Sequence, residues 1–242
     1  MRPPPLEAAK AFVVVHFVDC QAALLGGSVA RGDATATSDL DVVIITADPE
    51  APYRESFVYA GWPVEAFVHS EASCFDYFRR DAERRRPSLP TMCAEALVLR
   101  DAGGIAGRLR REARALLERG PAPPSAAEIE RQRYELTDLV DDLGGARDRH
   151  EAFVTAGELT TAAADLLLDL HGRWRGRGKW VLRALARELP TWEARLRRAL
   201  DVFVVEGDPV ELIAFADAAL ELAGGRLFEG FSSGKSLETT SF

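Results

Sequence analysis

The sequence predicts an α+β protein, in which a small region of mixed strands and helices precedes an all-helical bundle. Short apolar runs with strand-like character occur early in the chain, at residues 22–25 and 40–46. Residues 120–125 read Gly-Pro-Ala-Pro-Pro-Ser, and prolines at this density cannot continue a helix. Beyond that segment, the apolar residues recur at helical spacing and none of the runs alternates as a strand does. We therefore predict domains at residues 1–120 and 125–230, and a disordered polar tail at 231–242.

Hydrophobic spacing and turn residues predict the elements of each domain. The apolar face of the first helix includes a Val-Val-Val run at 13–15 that also suits a strand. In the first domain we predict helices at 6–18, 28–32, 71–84 and 105–119, and strands at 22–25, 40–46, 56–60, 63–68 and 96–99. The strands 56–60 and 63–68 form a predicted hairpin across Gly61-Trp62. In the second domain we predict helices at 126–149, 152–171, 180–188, 191–205 and 209–223.

Composition and net charge narrow the classes of ligand that the protein can bind and the cellular compartment in which we expect it. The chain of 242 residues carries a formal net charge of −8, which argues against nucleic acid as the ligand, because binding phosphates requires a basic surface. The same charge is compatible with a cationic small substrate. No stretch approaches the roughly 20 apolar residues of a membrane helix, so we expect no membrane association. The N-terminus lacks signal-peptide features and the 3 cysteines are widely spaced, so we expect a cytoplasmic protein.

A glycine-rich turn comes directly after the first predicted strand. Gly26-Gly27-Ser28 leaves residues 22–25 and enters a short predicted helix. Glycine lets the backbone approach an anion closely, and first-turn N–H groups with a serine hydroxyl can hold phosphate oxygens. A Gly-Gly-Ser turn by itself usually binds no ligand. Whether this turn binds phosphate therefore depends on the residues that come next in the chain.

Two aspartates lie shortly after this turn, at the entry of the second strand. Asp39 and Asp41 are two residues apart, so they project to the same side of a strand. Their negative charges repel one another unless a cation lies between them. Carboxylate oxygens are the ligands that Mg²⁺ prefers, and Mg²⁺ keeps positions open for substrate phosphates. A phosphate-binding turn together with a metal-binding pair predicts a nucleoside triphosphate as ligand.

Residues 22–46 resemble the nucleotidyltransferase superfamily of the DNA polymerase β type, whose motif is Gly-Ser, a short spacer and Asp-x-Asp on a strand. The resemblance implies that Gly27 and Ser28 hold phosphates and that Asp39 and Asp41 bind Mg²⁺. It also implies a third carboxylate on a neighbouring strand. Glu65 supplies it, because it is the only acid within the alternating run at 63–68. Glu65 is either a further metal ligand or the general base, and the sequence leaves both roles open.

The two-domain layout resembles the aminoglycoside adenylyltransferases that modify streptomycin and spectinomycin. In the second domain the resemblance covers residues 166–190, with an apolar helix, a glycine-containing turn, a lysine that opens the next helix and a closing Leu-Pro. In those enzymes this lysine reaches the phosphates of the nucleotide. The matching position here is Lys179. The run 173–179 is more basic than in those enzymes, which leaves the acceptor open.

These features together predict a Mg²⁺-dependent adenylyltransferase that moves AMP from ATP to a hydroxyl group of a small molecule. An aminoglycoside-like cation is the acceptor that the resemblance suggests. The alternative is a protein-directed nucleotidyltransferase, or an antitoxin-like module that binds a protein partner. The attached helical domain argues against the need for such a partner.

Overall fold

The computed structural model describes residues 2–234. The chain divides into two compact units, Met1–Pro121 and Ala122–Phe242. Of the tail predicted at 231–242, residues 235–242 lie outside the described residues. Within the described part of the chain, no helix combines the length and apolar composition needed to cross a lipid bilayer.

The first unit is built on a mixed sheet with helices on both faces. Its strands are β1 (Ala22–Leu25), β2 (Leu40–Ile45), β3 (Tyr53–Tyr59), β4 (Trp62–His69) and β5 (Leu97–Asp101). Its helices are α1 (Pro5–His16), α2 (Gly27–Arg31), α3 (Glu71–Glu83), α4 (Ser88–Glu95) and α5 (Ile105–Arg119). The strand order is β3-β4-β2-β1-β5. β2 and β4 are parallel and the other neighbouring pairs are antiparallel.

Alternation along β2 and β4 divides the apolar side chains between the two faces of this sheet. On one face, Leu40, Val42 and Val64 pack with residues of α1. On the other face, Val43 and Ile45 pack with residues of α3, α4 and α5. The cysteines of this unit, Cys20, Cys74 and Cys93, are buried and not bridged.

Among the described residues of the second unit, all regular secondary structure is helical. Its helices are α6 (Ala126–Gly145), α7 (Arg149–Leu170), α8 (Lys179–Glu188), α9 (Pro190–Glu206) and α10 (Val210–Leu222). A capping box begins α6, because the Ser125 side chain accepts from Glu128 N–H while the Glu128 carboxylate accepts from Ser125 N–H. The five helices enclose one apolar core that includes Leu136, Leu167 and Phe215. The fold-class prediction, an α+β protein with a mixed-sheet domain followed by a helical region, is confirmed.

Several details of the predicted secondary structure differ from the structure, among them the starts of β3 and α7, and three of the differences have a local cause. The helix predicted over 126–149 ends at Gly145, and Asp148 then caps α7 by accepting from the backbone N–H groups of His150 and Glu151. Helix α4 lies where the sequence analysis predicts no element, and its sequence contains Pro90. That proline lies in the first turn, where a helix does not need its missing N–H.

The third error concerns the turn of the hairpin. The turn consists of Ala60 and Gly61, both with positive φ, rather than Gly61-Trp62. Two-residue hairpin loops of this kind match the twist of the strands. Trp62 instead belongs to β4, where its side chain is buried and pairs across the ladder with Tyr59.

Candidate active site

The three predicted carboxylates meet on one face of the sheet, near the start of β2. Asp41 and Glu65 are direct neighbours in the parallel β2–β4 ladder, so their side chains lie on the same face. Asp39 precedes β2 by one residue and projects to the same side. One ligand atom from each of Asp39, Asp41 and Glu65 lies within 4.8 Å of the others, and all three side chains are half-buried. A group of this size and composition could hold a divalent metal ion.

The electrostatics of this carboxylate cluster favour a cation. The pKa of Asp41 is raised to about 6, first because burial penalises its charged form and then because Asp39 and Glu65 are negative neighbours. Arg31 and Arg54 act in the opposite direction and only partly offset this. A bound cation would relieve both the repulsion and the burial cost.

The Asp41 carboxylate occupies the space that a side chain at position 27 would need. A Cβ atom at Gly27 would lie 1.9 Å from Asp41 Oδ2, and Gly27 has a φ of +70°. The preceding Gly26 N–H donates to the Asp41 carbonyl oxygen at 2.8 Å, which joins the turn to the strand. The glycine turn and the carboxylate cluster are therefore in direct contact.

Ser28 lies in the first turn of α2 and is tied to the residue before the aspartate pair. Its hydroxyl donates to Ser38 Oγ at 3.0 Å, and Ser38 Oγ accepts from Thr35 N–H at 2.8 Å. Ser38 thus links the glycine turn with the start of β2. Sequence reasoning missed Ser38, since a serine before an aspartate has no distinctive pattern of its own.

Arg54 is a second residue that sequence reasoning missed. It extends from β3, forms an ion pair with Glu65 and lies 4.9 Å from the centroid of the Phe67 ring. The cross-strand register pairs Ser56 with Glu65, which brings Arg54 close to that carboxylate. The hairpin turn predicted at Gly61-Trp62 shifts this register, so the pairing could not be read from the sequence.

Lys179 belongs to the second unit, where it is exposed at the first position of α8. The segment before it is firmly held. Arg175 Nε donates to Asp169 Oδ1 at 2.8 Å, and the same guanidinium pairs with Asp165 at 3.4 Å. A Cβ atom at Gly176 would lie 2.2 Å from the Trp180 carbonyl oxygen, so only glycine fits there. The part of Lys179 in nucleotide binding stays a prediction.

Comparison with known proteins identifies the first unit. Residues 20–87 match the family model described as a nucleotidyltransferase domain. This match spans the glycine turn, the two aspartates and Glu65. The first unit therefore carries a nucleotidyltransferase domain, and the predicted resemblance to that superfamily is confirmed. The activity that such a domain supports is nucleotidyl transfer.

Solved structures and curated proteins add little to this identification. Among solved structures, a nucleotidyltransferase-like protein from Exiguobacterium sibiricum 255-15 is similar over 90% of this chain and 74% of its own, with 12% identity and a TM-score of 0.48. No curated protein matches the sequence significantly. The narrower resemblance to aminoglycoside adenylyltransferases stays a prediction.

Proposed function

We propose that this protein is a Mg²⁺-dependent adenylyltransferase that transfers AMP from ATP to a hydroxyl group of a small molecule. The observation that supports this most directly is the approach of Asp39, Asp41 and Glu65 to within 4.8 Å beside a glycine turn. Carboxylates converge in this way at a cost in repulsion, which a cation offsets.

The donor set suits Mg²⁺. All three candidate ligands are carboxylate oxygens, which are hard donors, and the set leaves room for substrate phosphates and water. Asp39 and Asp41 would hold the metal, with Glu65 as the third candidate ligand. When bound, Mg²⁺ would stabilise the negative charge that develops on the phosphate oxygens.

The glycine turn and Lys179 are the proposed phosphate ligands. The backbone of Gly27 lies beside the Asp41 carboxylate, and the Ser28 hydroxyl lies in the adjoining first turn of α2. These groups suit the β- and γ-phosphates of ATP. The resemblance adds Lys179, whose positive charge would offset the charge of the leaving pyrophosphate.

The transfer step needs a base as well as phosphate ligands. The oxygen of the acceptor hydroxyl attacks the α-phosphorus, and the bond between that phosphorus and the bridging oxygen of the β-phosphate breaks. Pyrophosphate leaves, and the hydroxyl proton passes to a base. Glu65 is the candidate base, since the Arg54 ion pair fixes its carboxylate at the edge of the cluster.

Release of pyrophosphate from ATP tests this proposal. The purified protein is incubated with ATP, Mg²⁺ and a panel of hydroxyl acceptors that includes streptomycin and spectinomycin, and pyrophosphate is measured. We expect acceptor-dependent release that is abolished in Asp39→Ala, because removing one ligand breaks the metal site. Release that persists at the wild-type rate in this variant would contradict the proposed site.

A further inference from the structure

A pocket of about 330 Å³ lies in the first unit beside the carboxylate cluster. It is formed where the ends of β3 and β4 face α3 and α4. Its lining combines aromatic rings with two charged residues, and the side chains that characterise it are Tyr53, Arg54, Phe67, His69, Tyr77 and Asp81. The proposed transfer chemistry uses none of these rings.

The pocket adjoins the carboxylate cluster and the glycine turn. Phe67 follows Glu65 by two residues on β4, so the two side chains share a face at a spacing of about 7 Å. Arg54, which pairs with Glu65, also lines the pocket. On another side, Met92 of the lining lies against the turn, since a Cβ atom at Gly26 would be 3.3 Å from Met92 Cβ. A ligand that reacts at the cluster can therefore extend into the pocket.

The lining contains aromatic rings, and its two charged side chains already have partners. The Arg54 guanidinium faces the Glu65 carboxylate, and Asp81 accepts from Leu89 N–H at 2.8 Å. Burial lowers the pKa of His69 to about 4, so this ring is neutral at neutral pH. The His69 and Tyr77 rings meet edge to face at 4.9 Å. Apolar and aromatic walls of this kind, in which each charged side chain already has a partner, suit a flat, uncharged ring.

We propose that this pocket binds a planar, uncharged aromatic ring of a substrate while the substrate reacts at Asp39, Asp41 and Glu65. This inference rests on the proposed function, because it assigns a binding place to one of the two reactants. The ring is either the base of ATP or an aromatic group of the acceptor. Losing one stacked ring lowers affinity by about 5- to 150-fold.

Two variants and a matched control test the pocket. Tyr77→Ala removes a wall, and Phe75→Ala is the control, because Phe75 is a half-buried aromatic residue of the same helix outside the lining. Ser88→Trp fills the pocket from the exposed first residue of α4 without removing any core atoms. Folding of each variant is verified by thermal unfolding. Ser88→Trp serves as the test even where Tyr77→Ala does not fold.

Binding is measured by calorimetry with probes that separate the two sources of the ring. Mg²⁺–ATP carries a base, whereas Mg²⁺–tripolyphosphate does not. Phenyl β-D-glucoside, added to protein saturated with Mg²⁺ and α,β-methylene-ATP, represents an aromatic acceptor. If the base occupies the pocket, both test variants weaken ATP binding and leave tripolyphosphate binding unchanged. If the acceptor occupies it, they weaken only the binding of the glucoside.

Two results would overturn different proposals. If the wild-type protein binds the probes and both test variants bind them as Phe75→Ala does, the pocket does not hold a ring. If the wild-type protein binds neither Mg²⁺–ATP nor Mg²⁺–tripolyphosphate, the proposed function itself is wrong.

Discussion

At the scale of single residues, the site is governed by the crowding of like charges. Asp41 is the most constrained of the three acids, because it is partly buried, has two negative neighbours and is in contact with Gly27. Its carboxylate lies in the proposed metal site, and the crowding of like charges costs stability while no metal is bound. If the proposed site is correct, stability and metal binding make opposite demands on this residue.

We predict that Asp41→Asn stabilises the metal-free protein at neutral pH. The pKa of Asp41 rises from its ordinary value of 3.8 to about 6 on folding, so the folded state holds the proton more tightly. The stabilising contribution is complete below about pH 4 and is lost as the pH rises through about 6. Urea unfolding at about pH 4 and about pH 7 should show the wild-type protein losing on the order of 2 kcal/mol relative to the variant. The same difference at both pH values would contradict the electrostatic explanation.

We predict that Gly27→Ala displaces Asp41 and impairs metal binding. The new methyl group would lie 1.9 Å from Asp41 Oδ2, and the alanine would have to adopt a φ of +70°. Gly32→Ala is the matched control, because Gly32 has a φ of +80° and open space around it. We expect Gly32→Ala to cost about 1 kcal/mol of unfolding free energy through backbone strain alone, and Gly27→Ala to cost more. Equal costs, with Mg²⁺ affinity retained in both variants, would show that the contact with Asp41 is unimportant.

Glu65→Gln separates the two roles proposed for that residue. A general base contributes about 10²- to 10⁴-fold to the rate and has little influence on nucleotide binding. A metal ligand contributes to both. We expect Glu65→Gln to lose turnover. Calorimetry with Mg²⁺ and ATP then shows whether nucleotide binding is retained, as for a general base, or weakened, as for a metal ligand. Unchanged turnover would exclude Glu65 from the site.

At the scale of secondary structure elements, the strand register and the anchoring of α8 position the candidate site residues. The parallel pairing of β2 with β4 aligns Asp41 with Glu65. In the second unit, the buried Asp169 holds Arg175 and also accepts from Gln132 Nε2 at 3.0 Å. This network fixes the segment that leads into Lys179.

We predict that Arg175→Met destabilises the second unit by about 3–5 kcal/mol, because the buried Asp169 carboxylate loses its arginine partner. Arg198 pairs with Glu211 at 3.2 Å, and these side chains are 75% and 43% exposed, so Arg198→Met serves as the control and should cost less than about 1 kcal/mol. Chemical denaturation followed by circular dichroism measures both variants. A cost for Arg175→Met no larger than that of the control would mean that the buried ion pair does not stabilise the second unit.

At the scale of the whole molecule, the helical unit is expected to contribute to nucleotide binding through Lys179. We predict that Lys179→Ala weakens the binding of both ATP and tripolyphosphate by about 1–3 kcal/mol, the range for a hydrogen bond to a charged group. Lys10→Ala is the control, since Lys10 is an exposed lysine of α1. Hydrogen exchange should show that Mg²⁺–ATP protects both the segment 27–41 and the segment around Lys179. Protection confined to the first unit, with normal binding by Lys179→Ala, would restrict the helical unit to another role.

The sequence by itself determined the fold class, the candidate acids and most helices, because these depend on local periodicity. Asp39 and Asp41 share a side as a consequence of their spacing, and Glu65 is conspicuous as an acid within an alternating apolar run. A family model over residues 20–87 supports the same interpretation of the first unit. The roles proposed for these residues are tested by the substitutions at Asp39, Asp41 and Glu65.

Only the tertiary structure decided which residues meet. The alignment of Asp41 with Glu65 depends on parallel pairing between strands that are separated by the whole of β3. The ion pair between Arg54 and Glu65 depends on a turn at Ala60-Gly61 in which a non-glycine residue adopts positive φ. Such contacts are set by register and packing between distant segments, whereas periodicity reports only which face a side chain occupies.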